Sequence, residues 1–154
     1  MSDIAQEYFR WFHEQGVWKR MQYRGVRILK LPSDLWNYQE IFTEHRIGWV
    51  LETGTRHGGS ALFFADLLQL NGSSGKVISI DVDAASNMVR EHPKIDFLLG
   101  DSAAPAMVER VRGLLPGNRG ALFAILDSDH SKVHVLRELN AFVPLLKPGD
   151  YLVV

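Results

Sequence analysis

The sequence predicts an α/β fold: a doubly wound parallel sheet with helices on both faces, a helical extension at the N-terminus, and the last strands of the sheet missing at the C-terminus. Three observations predict it. Beyond Gly48, short runs that are apolar along their whole length alternate with stretches of helical periodicity. Several of these runs close on glycines and acids. The final residues, Tyr151-Leu-Val-Val154, read as one more buried strand with nothing after it. Strands apolar on both sides belong to a parallel sheet covered on both faces. Right-handed crossovers bring all their C-terminal ends to one edge, where open α/β sheets bind ligands.

The elements follow in order. Residues 3 to 23 carry Tyr8, Phe9, Trp11, Phe12, Trp18 and Tyr23 near helical spacing, which predicts a packed helix, then an irregular stretch through Gly25. Leu31-Pro-Ser-Asp34 starts a second helix, with Ser33 or Asp34 as its cap and Leu35, Trp36, Tyr38, Ile41 and Phe42 along it. Trp49 to Thr53 is the first core strand, Gly54 to Gly59 a Gly-rich turn, and Ser60 to Leu70 a largely buried helix. Lys76–Ile80, Ile95–Leu99 and Ala121–Leu126 are further strands. Ala103–Leu115 and Lys132–Leu146 are helices, the second closed by Lys147-Pro-Gly149. Residues 1–47 therefore read as a helical segment packing on a core of residues 48–154, the whole treated as one domain.

Composition narrows the function. The chain has 154 residues, 46% of them hydrophobic and 23% charged, which suits a globular core. Seventeen basic residues against 18 acidic give a net charge of -1, so the general electrostatic footprint of a nucleic-acid or acidic-membrane binder is absent. With no cysteine, disulfides, thiolate zinc sites and a cysteine nucleophile are ruled out. Met1-Ser-Asp-Ile-Ala lacks a signal-peptide pattern, and no apolar run approaches the ~20 residues that span a bilayer. A cytoplasmic protein is the default expectation.

The strand ends carry the chemistry. Glu52-Thr-Gly-Thr-Arg-His-Gly-Gly-Ser60 spaces its glycines as Gly-x-x-x-Gly-Gly, which fails the dinucleotide fingerprint and is no P-loop. It reads as a ligand loop or as a plain strand-to-helix turn. Asp81 ends the next strand, where an acid accepts from both hydroxyls of a ribose or caps a helix at Ala84-Ala85. Gly100-Asp-Ser102 meets a base edge, caps a helix, or both. Asp127-Ser-Asp-His-Ser131 is the densest polar cluster and suggests a hard-metal site or acid/base chemistry, with Asp129 or Ser131 as a helix cap. Its resemblance to a calcium-binding EF-hand loop fails, because Lys132 stands where that loop needs glycine. His134 reads as a surface or packing residue, and His13, His45 and His92 as structural.

Four blocks, Leu31–Ile41, Glu52–Phe63, Gly100–Ser102 and Ile125–Ser131, taken in order, resemble the cephalosporin hydroxylase / rhamnosyl O-methyltransferase family from about residue 18 onward. That family is similar in fold to the Rossmann-like class I S-adenosylmethionine-dependent methyltransferases. The resemblance implies that Glu52, Gly54, Thr55, Gly58, Gly59 and Ser60 wrap the methionine part of S-adenosyl-L-methionine, with Gly54 and Gly59 giving close backbone approach. It implies that Asp81 holds the ribose and that Asp101 and Ser102 flank the adenine. It further implies Asp127 as a Mg2+ ligand and His130 as the catalytic base, where catechol-type enzymes carry a lysine. Methyl transfer to a hydroxyl of a sugar or other small molecule is the expected reaction.

In enzymes of this kind the fifth strand ends in further acidic metal ligands, and here the sequence stops at that strand. A fragment, or a short form that has lost the metal site, is the expectation. The competing readings are a non-catalytic module that forms a homo-oligomer through its unpaired sheet edge, and a nicotinamide-dependent dehydrogenase, which lacks its fingerprint loop. Hydroxylase chemistry has little support, since no two-histidine-one-carboxylate set for iron is apparent.

Overall fold

The computed structural model describes residues 3–154; the Met1-Ser2 start lies outside them. Helix α1 (Asp3–Glu14) buries only Phe12, and leaves Tyr8, Phe9 and Trp11 half exposed. A 3-10 turn over Val17–Arg20 follows.

The stretch expected to be irregular is instead a hairpin of β1 (Gln22–Tyr23) and β2 (Val26–Arg27). Arg24 and Gly25 at its tip both have positive φ, 50° and 80°, the geometry whose twist matches a two-residue hairpin. Tyr23 and Arg24 anchor it to Asp66 at 2.8–2.9 Å. Helix α2 (Pro32–Glu44) is capped by neither Ser33 nor Asp34: Leu31 is the N-cap and Pro32 stands in the first turn, where its missing N–H costs nothing.

The core strands are β3 (Ile47–Thr53), β4 (Val77–Asp81), β5 (Ile95–Leu99), β6 (Ala121–Leu126) and β7 (Tyr151–Val153). They form a five-stranded parallel sheet in the order β5-β4-β3-β6-β7. Consecutive residues serve opposite faces, as a pleated strand requires. Val50, Val77 and Phe123 join Phe42, Phe64 and Leu68 on the side of α2 and α3 (Gly59–Leu70). Leu51, Ile78 and Leu122 join Met107, Val111 and Phe142 on the side of α4 (Pro105–Leu114) and α5 (Lys132–Phe142). The sheet is thus covered on both faces, as its apolar strands predict.

Three boundaries differ from expectation for local reasons. Helix α4 is capped at Ala104, so Asp101 and Ser102 are free of that duty. Helix α5 stops at Phe142 rather than Leu146, and a 3-10 turn takes over at Val143–Leu145, where Pro144 lacks an amide. Its N-cap is Ser131, whose hydroxyl accepts from the His134 amide. The chain builds β3, β4 and β5 outward on one side, then returns to place β6 on the other flank of β3. That reversal is the topological switch point, and it sets a crevice beyond the ends of β3 and β6.

Candidate functional site

A cleft of about 750 Å³ opens at that crevice, within the usual range for small-ligand sites. Gly54, Thr55, Gly59, Ser60, Asp81, Asp101, Ser102, Asp127 and His130 all line it. Of the residues for which the family resemblance implies a cofactor, metal or catalytic role, only Glu52 and Gly58 do not.

The glycines have work that the sequence did not reveal. A Cβ on Gly54 would meet the Asp127 carbonyl oxygen at 2.1 Å, and its φ is +87°. A Cβ on Gly59 would meet the Arg27 carbonyl oxygen at 2.1 Å. The close backbone approach at these two positions is therefore made by the chain itself. Gly54 brings the ends of β3 and β6 together, and Gly59 lets the segment after β2 lie against α3. Arg56, in the same loop, holds a φ of 47°, a strained state for a side-chain-bearing residue. Its amide donates to Asp81 Oδ2 at 2.8 Å, while the Asp83 amide donates to Oδ1 at 2.9 Å. Asp81 is fixed in direction, with a lone pair left on each oxygen. Beside it the apolar Val82 is 74% exposed on the cleft wall.

Behind the loop lies a buried polar chain. Ser79 Oγ donates to Glu52 Oε2 at 2.7 Å and shares a hydrogen bond with Thr55 Oγ1 at 2.7 Å. Glu52 is fully buried and its Oε1 has no partner. Burial pushes its carboxyl up, while Lys30, the neighbouring Ser60 hydroxyl and the hydrogen bond from Ser79 oppose the shift.

On the β5 side, Asp101 Oδ2 accepts from Arg137 at 2.8 Å, which holds its carboxyl below the usual aspartate range. Ser102 Oγ donates to Glu138 Oε1 at 2.5 Å, and Ser128 Oγ to the same oxygen at 2.7 Å. His134 Nε2 stands 3.3 Å from both Ser102 Oγ and Glu138 Oε1. Glu138, 1% exposed, thereby ties the loops after β5 and β6 to α5. Sequence reasoning missed Glu138 and gave His134 only a packing or surface role. Their spacing along α5, four residues apart, was the available signal.

At the end of β6, Asp127 Oδ1 lies 3.1 Å from His130 Nε2. Asp127 Oδ2 makes an ion pair with Lys30, a residue that the sequence pattern did not single out. Asp129 stays outside this cluster and accepts instead from the Ser131 amide and hydroxyl. Among the described residues, no group of three or more His, Asp or Glu side chains is arranged to hold a metal ion. Asp127 alone, with both oxygens engaged, does not fit a magnesium site, which needs near-octahedral oxygen ligation. Trp18, Arg27 and Leu29 from the N-terminal segment complete the cleft wall. Trp11 and Trp36 do not line the cleft.

The sheet order, the switch-point cleft and the acid at the end of β4 define a Rossmann-like fold of the methyltransferase type. A family model described as rhamnosyl O-methyltransferase/CmcI matches residues 15–154. The chain belongs to that family. It is 45% identical over 154 residues to a rhamnosyl O-methyltransferase of Mycobacterium leprae (strain TN), covering 99% of this chain and 67% of that protein. To the protein of the same name from Mycobacterium tuberculosis (strain ATCC 25618 / H37Rv) it is 42% identical over 153 residues, covering 98% and 62%. Among solved structures it is similar to CmcI in an apo structure, with a TM-score of 0.71 and 29% identity over 87% of this chain and 56% of that one. A CmcI structure with Mg and SAM gives a TM-score of 0.70 and 28% identity, with the same coverage. The MycE methyltransferase of mycinamycin biosynthesis, at 22% identity, 74% and 30% coverage and a TM-score of 0.59, shares the fold. The chain thus spans between about half and two thirds of the length of its family relatives.

Proposed function

We propose that this chain carries the cofactor-binding core of an S-adenosylmethionine-dependent O-methyltransferase whose acceptor is a sugar hydroxyl. The observation that carries the reading is Asp81, fixed by the Arg56 and Asp83 amides at the mouth of the switch-point cleft. One lone pair on each oxygen remains for the two hydroxyls of a ribose. Val82 offers an apolar face next to it, and Asp101 and Ser102 offer a polar edge for adenine. Glu52, buried behind the Gly-rich loop, supports that loop through Ser79 and Thr55. These residues fit the cofactor. The sugar acceptor is argued from the rhamnosyl O-methyltransferases that the chain resembles.

The cofactor supplies a methyl group on a sulfonium. The chain's own residues orient it and remove a proton. His130 Nε2 stands 3.1 Å from Asp127 Oδ1, and an imidazole with a free ring nitrogen can accept a proton from a hydroxyl. The ring is 77% exposed, within reach of an incoming hydroxyl. Methyl transfer then breaks the carbon–sulfur bond, forms the carbon–oxygen bond, and leaves the hydroxyl proton on His130. No step is routed through a metal.

The test is transfer of isotopically labelled methyl from S-adenosylmethionine to a rhamnoside. Label on a rhamnosyl oxygen supports the reading. Label that moves only to a nitrogen or sulfur acceptor argues for a different methyltransferase.

A further inference from the structure

The arginine and lysine side chains that line the cleft are Arg27, Lys30, Arg56 and Arg137. Lys30 is paired with Asp127, and Arg137 with Asp101. Among the described residues, no ion pair involves the guanidinium of Arg27 or of Arg56. The acids of the cleft wall do not compete for them. Asp101 and Asp127 have these partners, Asp81 accepts from two amides, and Asp129 accepts from Ser131.

The two free guanidinium groups belong to different ends of the cleft. The Arg56 amide is bonded to Asp81, which places that residue at the ribose end. Arg27 closes β2 and pairs with Gln22 across the hairpin. Its carbonyl lies against the start of α3, where a Cβ on Gly59 would meet the Arg27 oxygen at 2.1 Å and its carbon at 2.7 Å. The Arg27 backbone is therefore fixed twice, by the hairpin and by α3, while its side chain stays exposed on the cleft wall. Gly59 and Ser60, which it adjoins, also line the cleft. A guanidinium carried on a fixed backbone presents a planar fork of N–H donors that matches the two oxygens of a carboxylate.

We infer that Arg27 is the carboxylate-binding residue of the cleft, and that the anion it holds is the carboxylate of the methionine part of S-adenosylmethionine. The hairpin is then a wall of the cofactor site as well as a packing element. The inference rests on the methyltransferase reading for the identity of the ligand. The choice of Arg27 rests on its free guanidinium and its place beside Gly59.

The test compares S-adenosylhomocysteine with its decarboxylated analogue, which keeps the adenosine, the sulfur and the amine. In calorimetric titration the unaltered chain should bind S-adenosylhomocysteine about tenfold or more tightly than the analogue. Arg27→Met should lose that preference: affinity for S-adenosylhomocysteine falls by about tenfold or more, while affinity for the analogue stays the same. Arg27→Lys, which keeps the charge but not the fork, should fall between the two, and it carries the same comparison if Arg27→Met does not fold. An equal loss for both ligands marks a purely structural role and overturns the proposal. A preference that survives the substitution also overturns it. An unaltered chain that binds both ligands alike overturns it too, and leaves the methyltransferase reading standing. Binding of neither ligand by a folded, unaltered chain overturns that reading, and the proposal with it.

Discussion

The backbone amide of Arg56 donates to Asp81 Oδ2 at 2.8 Å, so the Gly-rich loop after β3 and the acid that ends β4 form one structure. Whatever binds at Asp81 is aligned by the loop as well. Hydrogen bonds to a charged group contribute roughly 1.5–3 kcal/mol each. Asp81→Ala should therefore raise the dissociation constant for S-adenosylhomocysteine by about tenfold or more. Isothermal titration of the variant checks this, and an unchanged affinity would remove Asp81 from the ribose role.

Two glycines should respond in opposite ways to alanine. Gly54→Ala places a Cβ 2.1 Å from the Asp127 carbonyl oxygen at a φ of +87°. Backbone strain of this kind costs roughly 1–3 kcal/mol, and the clash adds to it. Gly113, inside α4, has nothing within 4 Å of an added Cβ. Gly113→Ala should stabilise the chain by about 0.5–1 kcal/mol through helix propensity. Urea melts of the two variants give both signs in one experiment.

Glu138 holds the cleft together from behind. Glu138→Ala strands the hydroxyls of Ser102 and Ser128 and opens a buried gap, a loss of about 2–4 kcal/mol. Because Ser102 lines the cleft, the variant should also bind S-adenosylhomocysteine more weakly at temperatures where it remains folded. A variant that is destabilised yet binds normally would confine Glu138 to a packing role.

Asp150 gives a pH signature away from the cleft. Its side chain and that of Arg119 are 3% and 2% exposed, and the pair is bidentate at 2.6 and 2.8 Å. Burial alone would raise this carboxyl, but Arg119 and the amides of Leu122 and Lys147 together hold it below its usual value. A carboxyl depressed in the folded state contributes stability above its unfolded value, and that contribution disappears as pH falls through the folded one. Asp150→Asn should cost about 3–5 kcal/mol near neutrality, with the difference from the unaltered chain shrinking as the pH is lowered below the ordinary aspartate range. Thermal melts across that range decide it; a pH-independent difference would contradict the pairing.

The parallel sheet was legible because its strands are apolar on both sides, and the sheet edge was legible because glycines and acids cluster where those strands end. Asp127 and His130, both in the polar cluster after the fourth predicted strand, lie 3.1 Å apart. The hairpin at Arg24-Gly25 was not legible, because its tip lacks the Asn-Gly pair that usually marks positive φ at both positions. Lys30 was hidden by the expectation that lysine is exposed. Only the alternation of Val26, Ile28 and Lys30 pointed inward. Glu138 looked like one more charge on a surface helix until Ser102 and Ser128, 36 and 10 residues away in sequence, were seen to converge on it. Contacts of that kind depend on how α5 packs, which local patterns do not encode.

The proposed methyl transfer rests on binding of S-adenosylmethionine in the switch-point cleft. Calorimetric titration of the folded chain with S-adenosylhomocysteine tests it most directly. A single site with micromolar affinity, weakened in Asp81→Ala, is the predicted result. No heat of binding from a chain shown to be folded by circular dichroism would contradict it.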